Sequence, residues 1–510
     1  MIRRNGPREW QNIHVTEKTN IKDLIDIDNS VSTGPQPKGF ALLINAAEEI
    51  DTLVQEASRN GTRIRALGSS WALTDIAITD GWLINTKLLN ACFDISDRYF
   101  ETSYSDEKRP YLIVAQCGIS VGELNIHLEV TATAGFRRAL KTAGIGAGQT
   151  IAGAISGNTH GSAINFGAMP DFVVGLQLVT GGGKSLWIER ASEPVLNDEF
   201  TLKLHAQRIR DDDVFNAAVV SFGAFGVITA VAIETDSVYH LRFPPVNDIK
   251  HDALKDKLNS FKYDEPAGLH HYEFVFDPYS KADIAMEAVA TKVTYEPGHD
   301  TPKPRWIIRN EHGFALGDKM PRWIIAFPLL SARQKTALQF KQYRRIAILG
   351  GVQGTPGQLF TATITYLEGY TESAIAVSIS DAARMIEIST DVIKAMKLPA
   401  ICQVRIVHPS RALFGFTYLG PKSAVFEFGL INDSSFEAFE KTLAGRLNSA
   451  GIPYTLHWSK NSGIDQQQLI TMYGTTRVTT WRNARKQVFN SDTSLMRVFE
   501  NDHLVRAGLA

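Results

Sequence analysis

Gln403 and Arg405 stand two residues apart in Ile401–Val407, a spacing that puts both on one face of a strand. A guanidinium is a permanent cation that can hold a developing oxyanion. A glutamine amide can hydrogen-bond a hydroxyl but cannot take its proton at neutral pH. His457-Trp458-Ser459-Lys460 adds an imidazole and an ammonium. The same residues also make ordinary surface pairs, so alone they do not define a site. Between Gly144 and Ser162 the chain reads GIGAGQTIAGAISGNTHGS, six glycines in nineteen residues. A flexible linker would be polar, and a regular element would not carry so much glycine. This mixture predicts backbone brought close to a large planar or phosphorylated ligand, with isoleucines anchoring it. Within it, His160 fits either contact with a ligand's ring edge or plain loop hydrogen bonding.

Two phosphate motifs fail on spacing. A GxGxxG turn needs glycine at 149 or 151, where Gln149 and Ile151 stand, which disfavours a nicotinamide-type turn. Gly181-Gly182-Gly183-Lys184-Ser185 lacks the leading glycine of a P-loop, since that position is Leu178, and reads as a hairpin turn. Gly68-Ser69-Ser70 ends a predicted strand and offers amides and hydroxyls to a pyrophosphate, although glycine-serine turns are common. No HExxH motif or Cys/His cluster supports a metal site. Cys92, Cys117 and Cys402 are widely spaced and apolar-flanked, which reads as core packing.

These groups need a scaffold. Residues 46–59 have a helical apolar face and end at Asn60-Gly61, and 63–67 alternates as a strand. Tyr111 to Gln116, 172–180 and the VITAVAIE segment read as further strands. Val121–Leu128 and Val214–Phe222 read as helices. After about Thr235 the glycine clusters thin out. His271–Phe276, Ile401–Val407 and Ala424–Leu430 then read as strands around a helix at 380–396. The pattern predicts an α+β chain: a first domain over 1–235, a second α+β domain with an antiparallel sheet over 236–455, and a segment over 456–510 that returns to the first.

With 510 residues, 44% hydrophobic and 21% charged, the chain has the composition of a globular protein. Its 53 basic and 54 acidic residues leave a net charge of −1. That balance gives no electrostatic reason to expect nucleic acid or an anionic membrane as partner. The first eighteen residues lack the apolar stretch of a secretory signal, and no apolar run approaches the roughly 20 residues of a membrane span. A cytoplasmic setting is the expectation.

Taken in order, the segments resemble the vanillyl-alcohol oxidase/p-cresol methylhydroxylase superfamily of FAD enzymes, nearest to its alditol and aldonolactone oxidase branch. Trp10 with Asn12 is similar to the opening WxN segment, and RIRALGSSWALTDI at 63–76 to the first FAD loop. GQTIAGAISGNTHGSA at 148–163 resembles the second loop, and SFGAFGVITAVAIE at 221–234 the last FAD segment. HYEFVFDPYSKA at 271–282 is similar to the strand opening the cap, QVRIV at 403–407 to the active-site strand, HWSK at 457–460 to the active-site turn and FENDHL at 499–504 to the ending.

The resemblance implies two α+β subdomains of the p-cresol methylhydroxylase type clamping FAD under a cap domain. FAD contacts are then implied for Gly68, Ser69, Ser70 and Trp71. In the second loop they fall to Gly144, Gly148, Gly153, Gly157, Asn158, Thr159, His160, Gly161 and Ser162, and in the last segment to Gly226, Val227 and Ile228. Arg405 and Lys460 keep the family's residue types and would stabilise an alkoxide-like oxygen during hydride transfer. Gln403 replaces the glutamate usual before that arginine, so the general base is sought in His457 or Glu427, with His160 a weaker choice.

Trp71 stands where the family commonly has a histidine bonded to the flavin. Indole cannot form that link, which implies non-covalent FAD, retained by packing against the ring's dimethylbenzene edge. Gly144 falls where a small residue admits oxygen, which favours an oxidase of a polar alcohol that yields peroxide. A dehydrogenase or tailoring enzyme with a larger substrate is the alternative, and a flavin-free binding protein the third reading.

Overall fold

The structure is a computed structural model that describes residues 1–31, 35–130, 136–261, 268–299, 327–346, 350–360, 370–431, 434–461 and 463–510. Much of the resemblance-poor stretch 285–375 lies outside them. Three sheets organise the chain. The first has the strand order Ile2–Arg4, Asp23–Asp28, Trp82–Leu88, Ile64–Leu67. Its last three strands are parallel, which requires a crossover. Helix Phe40–Arg59 supplies it, burying Leu43, Ile50, Leu53 and Val54 along one stripe. The predicted helix at 46–59 is therefore found with a longer N-terminal end.

The second sheet has six strands, in the order Gln207–Arg210, Leu186–Glu189, Val173–Val179, Val227–Glu234, Leu112–Gln116, Cys92–Asp94. Val173–Val179 and Leu186–Glu189 pair antiparallel around the triple-glycine turn, where Gly181 (φ 89°) and Gly183 (φ 84°) take the left-handed conformations the turn requires. Helix Val121–Glu129 starts with a capping box in which Ser120 and Glu123 satisfy each other's backbone amides.

The third sheet has nine strands. Four of them lie side by side in the order Leu269–Phe276, Cys402–Val407, Ser423–Ile431, Tyr370–Ser378, all antiparallel. Alternation then assigns each strand one apolar face, with Phe274, Val404 and Phe426 buried in the core. The core is continuous from Ile25 and Val179 through Phe274 and Phe426 to Trp458 and Trp481.

The chain's last helices pack on early elements. Gln466–Val488 lies against Asp212–Ala218, Thr493–Val498 against Phe40–Arg59, and Asp502–Arg506 against the short helix Asp75–Ala77. Asn501 locks that last contact by donating to the carbonyls of Asp75, Ile76 and Ile78. His503 Nδ1 sits 2.8 Å from Asp75 Oδ1. Among the described residues no helix is long and apolar enough to cross a membrane.

Candidate active site

A cavity of about 520 Å³ lies where three loops meet one face of the nine-stranded sheet. Each loop contains a non-glycine residue held at positive φ: Ser70 (61°), Asn158 (59°) and Phe222 (55°). Such backbone is costly and persists where surrounding contacts fix it. For the first loop the fixing contacts are visible. Buried Asn12 donates to the Ala72 carbonyl (2.8 Å) and to Thr16 Oγ1 (2.7 Å), while its own Oδ1 accepts from the Thr16 and Glu17 amides. Leu73 N donates to Ser459 O (2.8 Å), and Thr74 Oγ1 to Trp458 O (3.0 Å). Asn12→Ala is therefore expected to cost about 1–3 kcal/mol and to weaken cofactor retention. Denaturant unfolding and a cofactor titration measure both; an unchanged midpoint with unchanged affinity would refute the anchoring role.

The glycines serve these loops in a way composition did not reveal. A Cβ on Gly146 or Gly148 would stand 2.5 or 2.6 Å from the Trp71 indole. The two glycines therefore form the seat of Trp71, whose ring also borders the cavity. A Cβ on Gly68 would collide with Thr150 Oγ1, and one on Gly157 would lie 2.7 Å from Ser459 Oγ. Gly68, Ser69, Ser70, Gly144, Gly153, Gly157, Thr159, His160, Gly226 and Ile228 line the cavity.

Five further residues expected at the cofactor stand behind that lining. Gly148 faces the indole, and a Cβ on Gly161 would press on the Ala143 carbonyl at 2.5 Å. Fully buried Asn158 accepts from Phe416 N. The Ser162 hydroxyl donates to the Tyr272 carbonyl, and Val227 pairs with Val179 in the sheet. Gly144 borders the cavity, but its missing Cβ points at the Thr159 methyl, 2.9 Å away. Packing alone thus explains a glycine there.

The sheet wall carries the charges. Register sets Glu273 beside Arg405, and Gln403 beside Glu427. Glu372 enters from the next strand. Lys460 Nζ lies 2.5 Å from Glu427 Oε1 and 2.9 Å from Glu372 Oε2. Arg405 Nε lies 3.2 Å from Glu427 Oε2 and 3.6 Å from Glu273 Oε2, and Gln403 Nε2 donates to Glu273 (3.0 Å). Three carboxylates thus share two cations.

Their protonation preferences diverge. Glu427 is held well below the usual carboxylate range because Arg405 and Lys460 outweigh the cost of its burial. His271, whose Nε2 stands 3.6 Å away, and then Arg405 lower Glu273 against the same burial cost. Glu372 is raised, chiefly by burial and then by the Glu427 charge. Glu372 is the member that takes up a proton most readily. His457 and His160 are pushed down by burial, His160 to about 4, so both stay neutral. His457 Nδ1 accepts from Ser459 N (3.1 Å). Its proton therefore sits on Nε2, which leaves that atom a donor rather than a base.

Residues 40–189 match the family model described as FAD binding domain. The chain carries an FAD-binding domain. It is 28% identical to the L-gulono-1,4-lactone dehydrogenase of Mycobacterium tuberculosis over 53% of this chain and 52% of that protein. It is 26% identical to the D-arabinono-1,4-lactone oxidase of Kluyveromyces lactis over 39% of this chain and 32% of that protein. The matches thus span about half or less of these curated relatives. The solved cholesterol oxidase of B. sterolicum superposes with a TM-score of 0.68 at 14% identity, covering 99% of this chain and 97% of that one. A second structure, a solvent-stable cholesterol oxidase, gives 0.66 at 15% identity, covering 99% and 98%. These likenesses show the fold, the α+β architecture that the resemblance implied.

The residues present fit FAD. Gly68, Gly153 and Gly157, kept small by Thr150 and Ser459, border the cavity without side chains. The buried Arg65 beside them has guanidinium N–H groups without a partner among the described residues, a lining suited to a phosphorylated dinucleotide. All five residues expected to do chemistry, Gln403, Arg405, Glu427, His457 and Lys460, border the same cavity. Glu273 contacts two of them from the neighbouring strand.

Sequence reasoning missed Glu372, Tyr343, Arg65 and His14 among the lining residues, and Glu273 beside them. For Glu273 a signal existed. It shares strand parity with His271 in HHYEFVF, as Gln403 does with Arg405. Glu372 had none, because it stands in the stretch where the resemblance is thinnest.

Proposed function

We propose that the chain is an FAD-dependent oxidoreductase that oxidises a CH–OH group of a small polar substrate (sugar, polyol, lactone or nucleoside-like), with oxygen as electron acceptor. The supporting observation is the cluster of Glu372, Glu427, Arg405 and Lys460, with Glu273 beside it, at the wall of a cavity that loops of the FAD-binding domain help to line. Fixed cations favour negative charge on the substrate oxygen as its proton leaves. Gln403 spends its amide N–H on Glu273, which leaves Oε1 to accept from a substrate hydroxyl. The proton passes to a carboxylate oxygen of Glu372. Bound FAD supplies the hydride acceptor, and transfer of the two electrons to oxygen gives hydrogen peroxide.

The names of the relatives, aldonolactone enzymes, suit a hydroxyl-rich substrate and the polar wall. We further propose a cofactor domain over 1–235, a pocket-shaping cap over 236–455 and a returning segment over 456–510. Retention of FAD is proposed to be non-covalent, with Trp71 in place of a linking histidine. Acid precipitation is then expected to leave the yellow colour in the supernatant; colour in the pellet would overturn that part.

A panel of alditols, aldonolactones, sugars and nucleosides, assayed for peroxide, tests the reaction. No flavin reduction by any of them would sink the polar-alcohol reading. One observation favours a dehydrogenase as second reading: Gly144 is small because Thr159 fills the space beside it. Reduction of an artificial acceptor without peroxide release selects that alternative.

A further inference from the structure

Arg65 lies in the strand Ile64–Leu67, which runs into Gly68-Ser69-Ser70. Its side chain borders the cavity and is 2% exposed. Nη1 donates to the Phe222 carbonyl (2.7 Å), whereas Nε and Nη2 have no hydrogen-bond partner among the described residues. Arg65 makes no ion pair among the described residues. The other strong charges bordering the cavity, Arg405, Lys460, Glu372 and Glu427, neutralise one another at the sheet wall.

A buried cation without a counter-charge is costly, and here a second one aggravates it. Arg485, also buried, bonds among the described residues to the carbonyls of Ala224, Leu509 and Met496, with Glu500 as a more distant counter-charge. Burial, then repulsion from Arg485 and Arg63, lowers the Arg65 guanidinium to about 9. Gly223 accommodates the group. Its φ of +75° suits glycine, and a Cβ there would stand 2.9 Å from Nη1. Room has thus been made for a charge that the more distant Asp75 and Glu500 offset only in part.

We propose that Arg65 is the counter-charge for the diphosphate of the bound dinucleotide, an inference that rests on FAD being the cofactor. Phosphate oxygens are the acceptors that guanidinium N–H groups match best. Binding would supply the missing negative charge and employ the idle donors.

Affinities of the flavin-free full chain for FAD, ADP, adenosine and riboflavin test this, measured by calorimetry for the parent, Arg65→Met and Arg65→Lys. The parent is expected to bind ADP at least tenfold tighter than adenosine. Arg65→Met should weaken FAD and ADP about 10- to 100-fold, leave adenosine and riboflavin unchanged, and reduce the salt dependence of ADP binding. The lysine variant should recover part of the loss. Without its cofactor, Arg65→Met should unfold no earlier than the parent, because an unbalanced charge has gone.

Unchanged FAD and ADP affinities in Arg65→Met would overturn the proposal. So would an equal loss for adenosine and riboflavin, which marks mere loosening of the Phe222 contact. If the methionine variant does not fold, equal binding of ADP and adenosine by the parent overturns it. A parent chain that takes up no FAD would refute the cofactor assignment instead.

Discussion

A Lys460→Met protein is expected to turn over its substrate about 100- to 1,000-fold more slowly than the parent, while still binding FAD. Lys460 is the shared cation of two carboxylates, with Nζ at 2.5 Å from Glu427 and 2.9 Å from Glu372. Without it, the pair faces one remaining cation, Arg405, and two like charges at such range do not both stay ionised. One then holds a proton at neutral pH, and the wall loses its ability to take the substrate's. Methionine also removes the charge that would stabilise a developing alkoxide.

Breaking this buried arrangement should cost about 3–5 kcal/mol of stability, so unfolding and kcat must be measured together. Lys460→Arg keeps the charge and should recover much of the stability but less of the rate, because the fork is larger than an ammonium. A Lys460→Met kcat within twofold of the parent would refute the role.

The effect should be local, because the turn that carries Lys460 is braced independently of its charge. Asn461 Oδ1 accepts from the Ala374 and His457 amides (both 3.1 Å), and its Nδ2 donates to Ser373 Oγ (2.6 Å) and Glu440. The same turn accepts from Leu73 and Thr74 of the first FAD loop. The proposed cofactor loop and the charged wall are therefore one mechanical unit. In the proposed reaction, a substrate oxygen held by Lys460 would keep its position relative to the loop, which is what hydride transfer needs.

How much of this was legible depended on whether a residue's role is set locally. The loops at 63–76 and 144–162 announce themselves because close backbone approach forces glycine and serine, whatever lies farther off. Arg405 and Lys460 were visible as charges in otherwise apolar strand and turn contexts. What those glycines touch was not legible: Gly146 and Gly148 answer to the Trp71 indole, and Gly144 to a Thr159 methyl. Each contact joins segments some 15 to 80 residues apart along the chain. The choice among candidate bases depends on the same long-range contacts. His457 and Glu427 have suitable side chains, but one is fixed as a donor by Ser459 N and the other is held ionised by two cations. Only the arrangement of five strand and turn residues raises Glu372 while lowering its neighbours, which is the ground for proposing it as the base.

Glu372 therefore carries the second large expectation. Glu372→Gln should lower kcat/KM by about 100- to 10,000-fold, the usual worth of a positioned general base, and should change the shape of the pH profile. In the parent, the ascending limb should lie above the ordinary carboxylate value of 4.5, since burial and the Glu427 charge both raise Glu372. The base is competent only once deprotonated, so activity rises with pH through that raised value. Glutamine cannot titrate, and the limb should vanish with the rate.

Stability moves the other way. A carboxyl raised in the fold binds its proton more tightly there than in the unfolded chain. Its contribution is therefore fully present below 4.5 and is lost as pH rises through the folded value. Glu372→Gln should escape that loss and gain on the parent as pH increases across this window. A merely structural glutamate predicts no change in the pH profile. An ascending limb that survives in Glu372→Gln would move the base to another group, and Glu273, 3.6 Å from Arg405, would be the next to replace.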